Sequence, residues 1–257
     1  KIDIFNDFKN CLEIIKEEDV NSPFFINKCA EIKSDINIIA GFRTIFKKDL
    51  LKIPKLATLN LHAGDLPKYR GGSPLNWQLI NGESFFGITI IYVNSGIDTG
   101  RIISKKKIKI EEGYNINNLH EEANKVFPLL TIEAIYKVLE GYKGIKQKEI
   151  DAIYWPQRND SDGEIDFNRM SAINVLRITK SLYPLYPSAW FFYKNFKFRI
   201  NKCSIPITPI KGKVGKVIYI LNKGPYIICK DKAILIDEYY VEGDEKVKLP
   251  NGINIYQ

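Results

Sequence analysis

The chain has 257 residues, 45% hydrophobic and 26% charged, with a formal net charge of +8. That is enough chain for a large core and more than the common size of a single domain, so one large and one small domain are expected. The four cysteines, Cys11, Cys29, Cys203 and Cys229, form no Cys-x-x-Cys pair and no secreted-domain pattern. No apolar run approaches membrane-spanning length and no signal peptide precedes the fold, so a soluble cytoplasmic enzyme is the expectation.

The chain opens on Lys1 and runs directly into an amphipathic helical pattern, Ile4, Phe5, Phe8, Cys11, Leu12 and Ile15, with no strand or glycine-rich turn before it. Short, β-branched, nearly continuous apolar runs follow at INIIAGF (36–42), TLNLH (58–62) and GITIIYV (87–93). They read as strands buried on both faces of a parallel sheet, where residues just beyond the carboxyl ends face the ligand crevice. Asn60 and His62 leave one strand end, and the NSGIDTG loop (94–100) leaves the next. Asp98 is thereby placed to reach the histidine.

Asn115 to Tyr142 reads as one long helix ending at Gly141, its apolar face (Leu119, Ala123, Val126, Leu129, Leu130, Ala134, Ile135, Val138) packed on the sheet. His120 lies in that helix with no acid or cysteine at ligand spacing, so it is read as structural and no metal site is expected. From Tyr154 polar and turn-forming residues interrupt the pattern, and a helix from about Met170 to Tyr183 should follow. The remainder carries strand patterns, AWFFYKNFKFRI, KVGKVIYIL, PYIICK and AILIDEYYV, separated by turns. The stretch from Lys194 to Lys230 holds nine Lys or Arg residues and no acid, which suits either phosphate contact or a solvated basic surface.

The expected architecture is α/β. A Rossmann-like parallel-sheet catalytic domain spans 1–153 with its N-terminal unit missing, a linker spans 154–168, and a helix plus a small β-barrel similar to an oligonucleotide-binding fold spans 169–257.

The passage NLHAGDLPKYRGGSPLNW (60–77), with Asp98-Thr99-Gly100 beyond it, resembles the formyltransferase family that uses 10-formyltetrahydrofolate. That family's signature is Asn-x-His, then Leu-Pro-x-x-Arg-Gly, then a distant Asp-x-Gly, and the likeness runs from about residue 10 to about residue 190. One departure is visible. Gly64-Asp65-Leu66-Pro67 stands where the family usually has Ser-Leu-Leu-Pro, bringing an extra carboxylate, Asp65, close to the site. In the family the first strand lies inside the sheet, and a sheet without it would expose unpaired edges, so the sequence is expected to start partway into the native protein.

The resemblance implies a catalytic set of Asn60, His62 and Asp98. It implies N10-formyltetrahydrofolate as co-substrate, without a metal, held by backbone groups of Thr44, Ile45 and Phe46. Gly72 and the loop of Asn94, Ser95, Gly96 and Ile97 would close over it. The residue types suit the chemistry: the Asn60 amide can stabilise a developing oxyanion, and His62 can take a proton from the attacking amine, steadied by Asp98.

The family divides by acceptor. The Gly72-Ser73-Pro74-Leu75-Asn76-Trp77 sequence is close to that of members that formylate amino groups on nucleotide-linked sugars, so a nucleotide sugar is the expected partner. Methionyl-tRNA is the alternative acceptor, and a non-catalytic nucleic-acid binder built on the basic barrel is the competing class. A homodimer is a further expectation.

Overall fold

In the computed structural model residues 17–42, 44–243 and 247–257 are described, and the amphipathic pattern from Ile4 to Ile15 lies outside them. Helix α1 (Pro23–Ile32) starts where the Ser22 side chain accepts the Phe25 N–H and Pro23 takes the first helical position. It is followed by β1 (Ile36–Ala40), α2 (Lys48–Leu51), β2 (Ala57–His62), the two-residue β3 (Arg70–Gly71) and α3 (Pro74–Ile80). Two long strands, β4 (Phe85–Tyr92) and β5 (Ile102–Lys109), precede α4 (Ile116–Leu139). Asn115 caps α4, its side chain accepting the N–H groups of Asn117 and Asn118.

These strands form one mixed sheet in the order β1-β2-β4-β5. Only β1 and β2 run parallel, whereas β4 is antiparallel to both β2 and β5. The GITIIYV run was expected as another parallel strand, and its direction is corrected here. Its residues Phe86 to Ile91 are indeed buried, but an apolar run reports burial on both faces and carries nothing about direction. Leu59, Phe86, Ile88 and Ile90 of the sheet pack against Leu119, Ala123, Ala134 and Val138 of α4, so the helix face read from the sequence is the one that is covered, except for Leu129, which is exposed.

A second sheet follows. Helix α5 (Ala172–Lys180) lies beside β7 (Ala189–Tyr193), β8 (Phe196–Ser204), β9 (Val217–Ile220), β10 (Lys223–Ile228) and β11 (Ala233–Val241). All pairings are antiparallel in the order β7-β8-β11-β10-β9, with β7 and β9 as edges. This is an OB-like antiparallel unit rather than a fully closed barrel. Its own core gathers Val175, Phe191, Phe198, Ile227 and Ile234, and draws in Ile165 and Phe167 from the polar connecting segment. That segment also supplies β6 (Tyr154–Trp155), which pairs in parallel with β3 under the catalytic motif. Among the described residues no helix is long and apolar enough to cross a membrane.

Several of the basic residues from Lys194 to Lys230 already have partners. Arg199, buried at 5% exposure, donates to Asp160 from both terminal nitrogens and to Glu242, while Lys197 reaches Asp160 at 2.7 Å and Lys202 reaches Glu238 at 2.8 Å. The Arg199 guanidinium holds the Asp160 carboxyl far below the usual carboxylate range, with Lys197 adding to the effect. A depressed carboxyl contributes stability above its unfolded pKa and loses it as pH falls through its folded one. An Asp160→Asn variant is therefore expected to melt below the wild type at pH 7, and the gap should narrow as pH drops below about 4. Melting curves across that range check it; a gap that widens in acid would contradict the pairing.

Candidate active site

Asn60 and His62 stand two residues apart on β2, so both side chains project from the same face of the strand. His62 is buried, with Nε2 2.5 Å from the Tyr69 carbonyl oxygen. A carbonyl only accepts, so Nε2 carries the hydrogen and the neutral ring keeps its lone pair on Nδ1. Nδ1 lies 3.6 Å from Asp98 Oδ1. The same Oδ1 accepts the Asn60 amide at 3.3 Å, and Oδ2 accepts the Gly71 N–H at 2.9 Å. The amide, imidazole and carboxylate expected to form one set do converge.

The route by which Asp98 arrives differs from the expectation. Because β4 is antiparallel, its end at Tyr92 lies opposite Leu59, and the 94–100 loop must turn back to reach Asn60 and His62. Asn94 starts the turn: its side-chain oxygen accepts the Gly96 N–H at 3.0 Å and the Thr99 hydroxyl at 2.8 Å. Asp98 itself sits in the left-handed region with φ +51. At Gly100 any Cβ would lie 1.6 Å from the Tyr92 carbonyl oxygen, so only glycine closes the loop. Gln147, at 5% exposure, donates from Nε2 to the carbonyl oxygens of both Asp98 and Gly100 at 2.7 Å.

Asp65 does not join this set. Its carboxylate meets Lys105 and Lys107 of β5, the latter at 3.1 Å, so the extra negative charge is neutralised on the sheet. A cleft of about 370 Å³ lies against the same turn, lined by Asp65, Leu66, Pro67, Lys68, Lys105 and Ile150 among others, and it contains none of Asn60, His62 or Asp98.

The residues expected to hold the co-substrate fall into three situations. Thr44 and Ile45 are exposed, and Phe46 is half-buried with its ring edge-on to Phe42 at 5.5 Å. Asn21 braces this loop by donating to the Ile45 carbonyl at 3.1 Å and accepting the Lys47 N–H at 2.8 Å. Asn94, Ser95, Gly96 and Ile97 are exposed at the tip of their loop. Gly72, by contrast, already donates its N–H to the Trp155 carbonyl at 2.9 Å, and a Cβ there would lie 2.4 Å from Gln157 Cα. Its role is close approach to the connecting segment. No group of three or more His, Cys, Asp or Glu side chains capable of holding a metal occurs among the described residues.

Sequence reading missed the Tyr69 carbonyl, Gln147 and Trp155. A main-chain acceptor leaves no trace in residue identity, and a lone glutamine 49 positions from Asp98 carries no pattern. His120 behaves as read: it meets the Tyr186 hydroxyl at 3.1 Å, and burial pushes its pKa down.

Residues 9–135 match the formyl transferase family and residues 158–257 the formyl transferase C-terminal domain. A methionyl-tRNA formyltransferase of Thermodesulfovibrio yellowstonii is 32% identical over 224 residues, covering 87% of this chain and 71% of that protein. The bifunctional polymyxin resistance protein ArnA of Wigglesworthia glossinidia brevipalpis is 34% identical over 241 residues, 91% of this chain and 36% of that one. Among solved structures, the N-formyltransferase from Helicobacter canadensis in complex with folinic acid and dTDP-3-aminofucose superposes with a TM-score of 0.68 at 21% identity, covering 89% of this chain and 80% of its own. The chain belongs to the formyl transferase family, and it is a formyltransferase.

The turn after His62 generates a sharp test. A Cβ at Gly64 would lie 2.4 Å from His62 Nε2 and 2.6 Å from the Tyr69 carbonyl oxygen, splitting the hydrogen bond that sets the ring. Gly64→Ala is expected to lower turnover by about 10²-fold, the scale of a misplaced catalytic group. A variant that turns over formyl donor at the wild-type rate would show that the ring is not held this way.

Proposed function

We propose that Asn60, His62 and Asp98 transfer a formyl group from N10-formyltetrahydrofolate to a primary amine. The observation that carries this reading is their convergence on Asp98 Oδ1, with Asn60 at 3.3 Å and His62 Nδ1 at 3.6 Å. The amine nitrogen forms a bond to the formyl carbon, giving a tetrahedral intermediate whose oxygen becomes negative. The Asn60 amide supplies a donor for that oxygen, worth roughly 10²–10³ in rate by the measure of comparable sites. His62 Nδ1 takes the proton the amine must lose, Asp98 steadies the charged ring, and the proton passes to N10 as the N10–carbon bond breaks. The exposed loops at 44–46 and 94–97 are the surfaces we assign to the folate.

For the acceptor, the named relatives favour methionyl-tRNA over the nucleotide sugar expected from Pro74-Leu75-Asn76-Trp77. The contacts of that tetrapeptide weaken it as a sign of a sugar acceptor, because they are made to other parts of the protein. Asn76 is buried and donates to the Ser181 carbonyl at 2.7 Å; Trp77 stacks on Trp155 with centroids 5.1 Å apart and donates to the Pro156 carbonyl at 2.9 Å. Residues engaged in scaffold contacts are weak witnesses to substrate choice. The amino-sugar reading stands second, supported by the sugar nucleotide bound to the Helicobacter canadensis enzyme. The non-catalytic reading is disfavoured because the three polar side chains lie together, Asn60 donating to Asp98 Oδ1 at 3.3 Å and His62 Nδ1 3.6 Å from the same oxygen.

The deciding assay mixes the protein and 10-formyltetrahydrofolate with charged initiator tRNA or with thymidine- or uridine-diphosphate amino sugars, and follows release of tetrahydrofolate. Turnover with methionyl-tRNA that falls at least 10²-fold in His62→Ala and Asp98→Ala is expected. Turnover confined to the sugars would move the acceptor to the second reading. Salt-sensitive RNA binding with no turnover on any amine would remove the enzymatic one.

A further inference from the structure

We propose that Gln147 is a positioning residue for formyl transfer: it clamps the main-chain carbonyls of Asp98 and Gly100 and thereby aims the carboxylate at His62. This rests on the reading of Asn60, His62 and Asp98 as the transferring set. The orientation of the Gln147 amide is dictated by its neighbours. Arg70 has donors only, and its Nε meets Gln147 Oε1 at 3.1 Å, so the oxygen must face Arg70 and the NH₂ must face the carbonyls of Asp98 and Gly100.

The clamp is anchored at its far end. Arg70 is fully buried, and its two terminal nitrogens take both oxygens of Glu149 at 2.9 Å while one of them also meets the Tyr154 hydroxyl. A bidentate guanidinium–carboxylate pair of this kind fixes direction as well as charge. The segment carrying Gln147 is fastened too. Ile145 and Ile102 exchange both main-chain hydrogen bonds at 2.8 Å, and Arg101 donates to the carbonyls of Lys143 and Gly144. A continuous path therefore runs from Glu149 through Arg70 and Gln147 to the carbonyl of a residue held at φ +51.

The left-handed backbone is the reason a clamp is useful. A non-glycine residue there is strained unless its surroundings over-determine it, and relaxation would swing the Asp98 side chain away from Asn60 and the Gly71 N–H. The simpler alternative is that Gln147 merely satisfies two turn carbonyls, with no consequence for the chemistry. The two readings separate in a double-mutant cycle.

The informative variant is Gln147→Glu. It keeps an acceptor for Arg70, so no buried charge is orphaned, but replaces the donor facing the two carbonyls by an oxygen. The expected result is a 10- to 100-fold fall in kcat, in line with a reacting group displaced by about an ångström, with KM for donor and acceptor within about threefold of wild type. In an Asp98→Asn background the same change should cost almost nothing further, since a residue that acts only through Asp98 has nothing left to aim. An equal loss in both backgrounds, or wild-type kcat in Gln147→Glu, would overturn the proposal. A crystal structure of Gln147→Glu supplies a readout independent of turnover. Asp98 leaving the positive-φ region supports the clamp, and Asp98 unmoved refutes it, even if the wild type formylates none of the amines tried.

Discussion

The Asp98 carboxylate is the point on which the arrangement turns, and what holds it is a set of hydrogen bonds from segments distant in sequence. Oδ1 takes the Asn60 amide from β2, Oδ2 takes the Gly71 N–H from β3, and Gln147 holds the carbonyl. An ionised carboxylate largely withdrawn from water needs such donors, because the desolvation of an unpaired one costs several kcal/mol. The donors therefore fix where the charge is tolerated, and that position happens to be beside a histidine whose other nitrogen is committed to Tyr69. With Nε2 engaged, Nδ1 is the nitrogen left to exchange a proton. The tautomer, the orientation of the ring and the position of the charge are thus consequences of one network.

The connecting segment after residue 150 is part of that network rather than a passive tether. Strand β6 pairs with β3, so Trp155 lies against Gly71 and Gly72, and a Cβ at Gly71 would sit 2.2 Å from the Trp155 carbonyl oxygen. The Trp155 ring stacks between Tyr69 and Trp77, and Ser73 accepts hydrogen bonds from Gln157 and from the Arg158 main chain. The Arg-Gly-Gly turn is consequently pressed between the first sheet and the start of the second unit. Its glycines are required by this approach, and Gly71, with φ +95, by backbone conformation as well.

How much of this was legible in the sequence follows from what each signal encodes. That Asn60, His62 and Asp98 would come together was legible because they carry the resemblance to the formyltransferase signature and leave neighbouring strand ends, and the apolar faces of β2, β4 and α4 because burial imposes periodicity. The direction of β4 was not, since burial on two faces looks identical in either sense. What Asp65 does was not legible either: it follows His62 closely in sequence, but its partners, Lys105 and Lys107, lie on β5 and meet it only when the chain is folded. Gln147 and Trp155 act through main-chain atoms of other segments, and such contacts constrain the partner's backbone rather than its identity. Their positions emerge only when the chain is folded.

The same distinction bears on acceptor choice. Attack on a formyl carbon, stabilisation of the oxyanion and removal of one proton are the same operations whichever amine arrives, so the catalytic roles proposed for Asn60, His62 and Asp98 do not discriminate among acceptors. Discrimination requires contacts that differ between candidate substrates and are realised at the transition state, away from the reacting atoms. The Asn76 amide nitrogen and the Trp77 indole N–H are committed to the carbonyls of Ser181 and Pro156 rather than held open for a substrate. Apart from the loops assigned to the folate, the cleft bounded by Pro67, Lys68 and Ile150 is one surface still open to a ligand. A sequence likeness in the buried turn therefore tracks how the two units are packed together. On the proposed reading the amine is selected at open edges away from the folate loops, where a change of one side chain alters what is bound without disturbing how the formyl group moves.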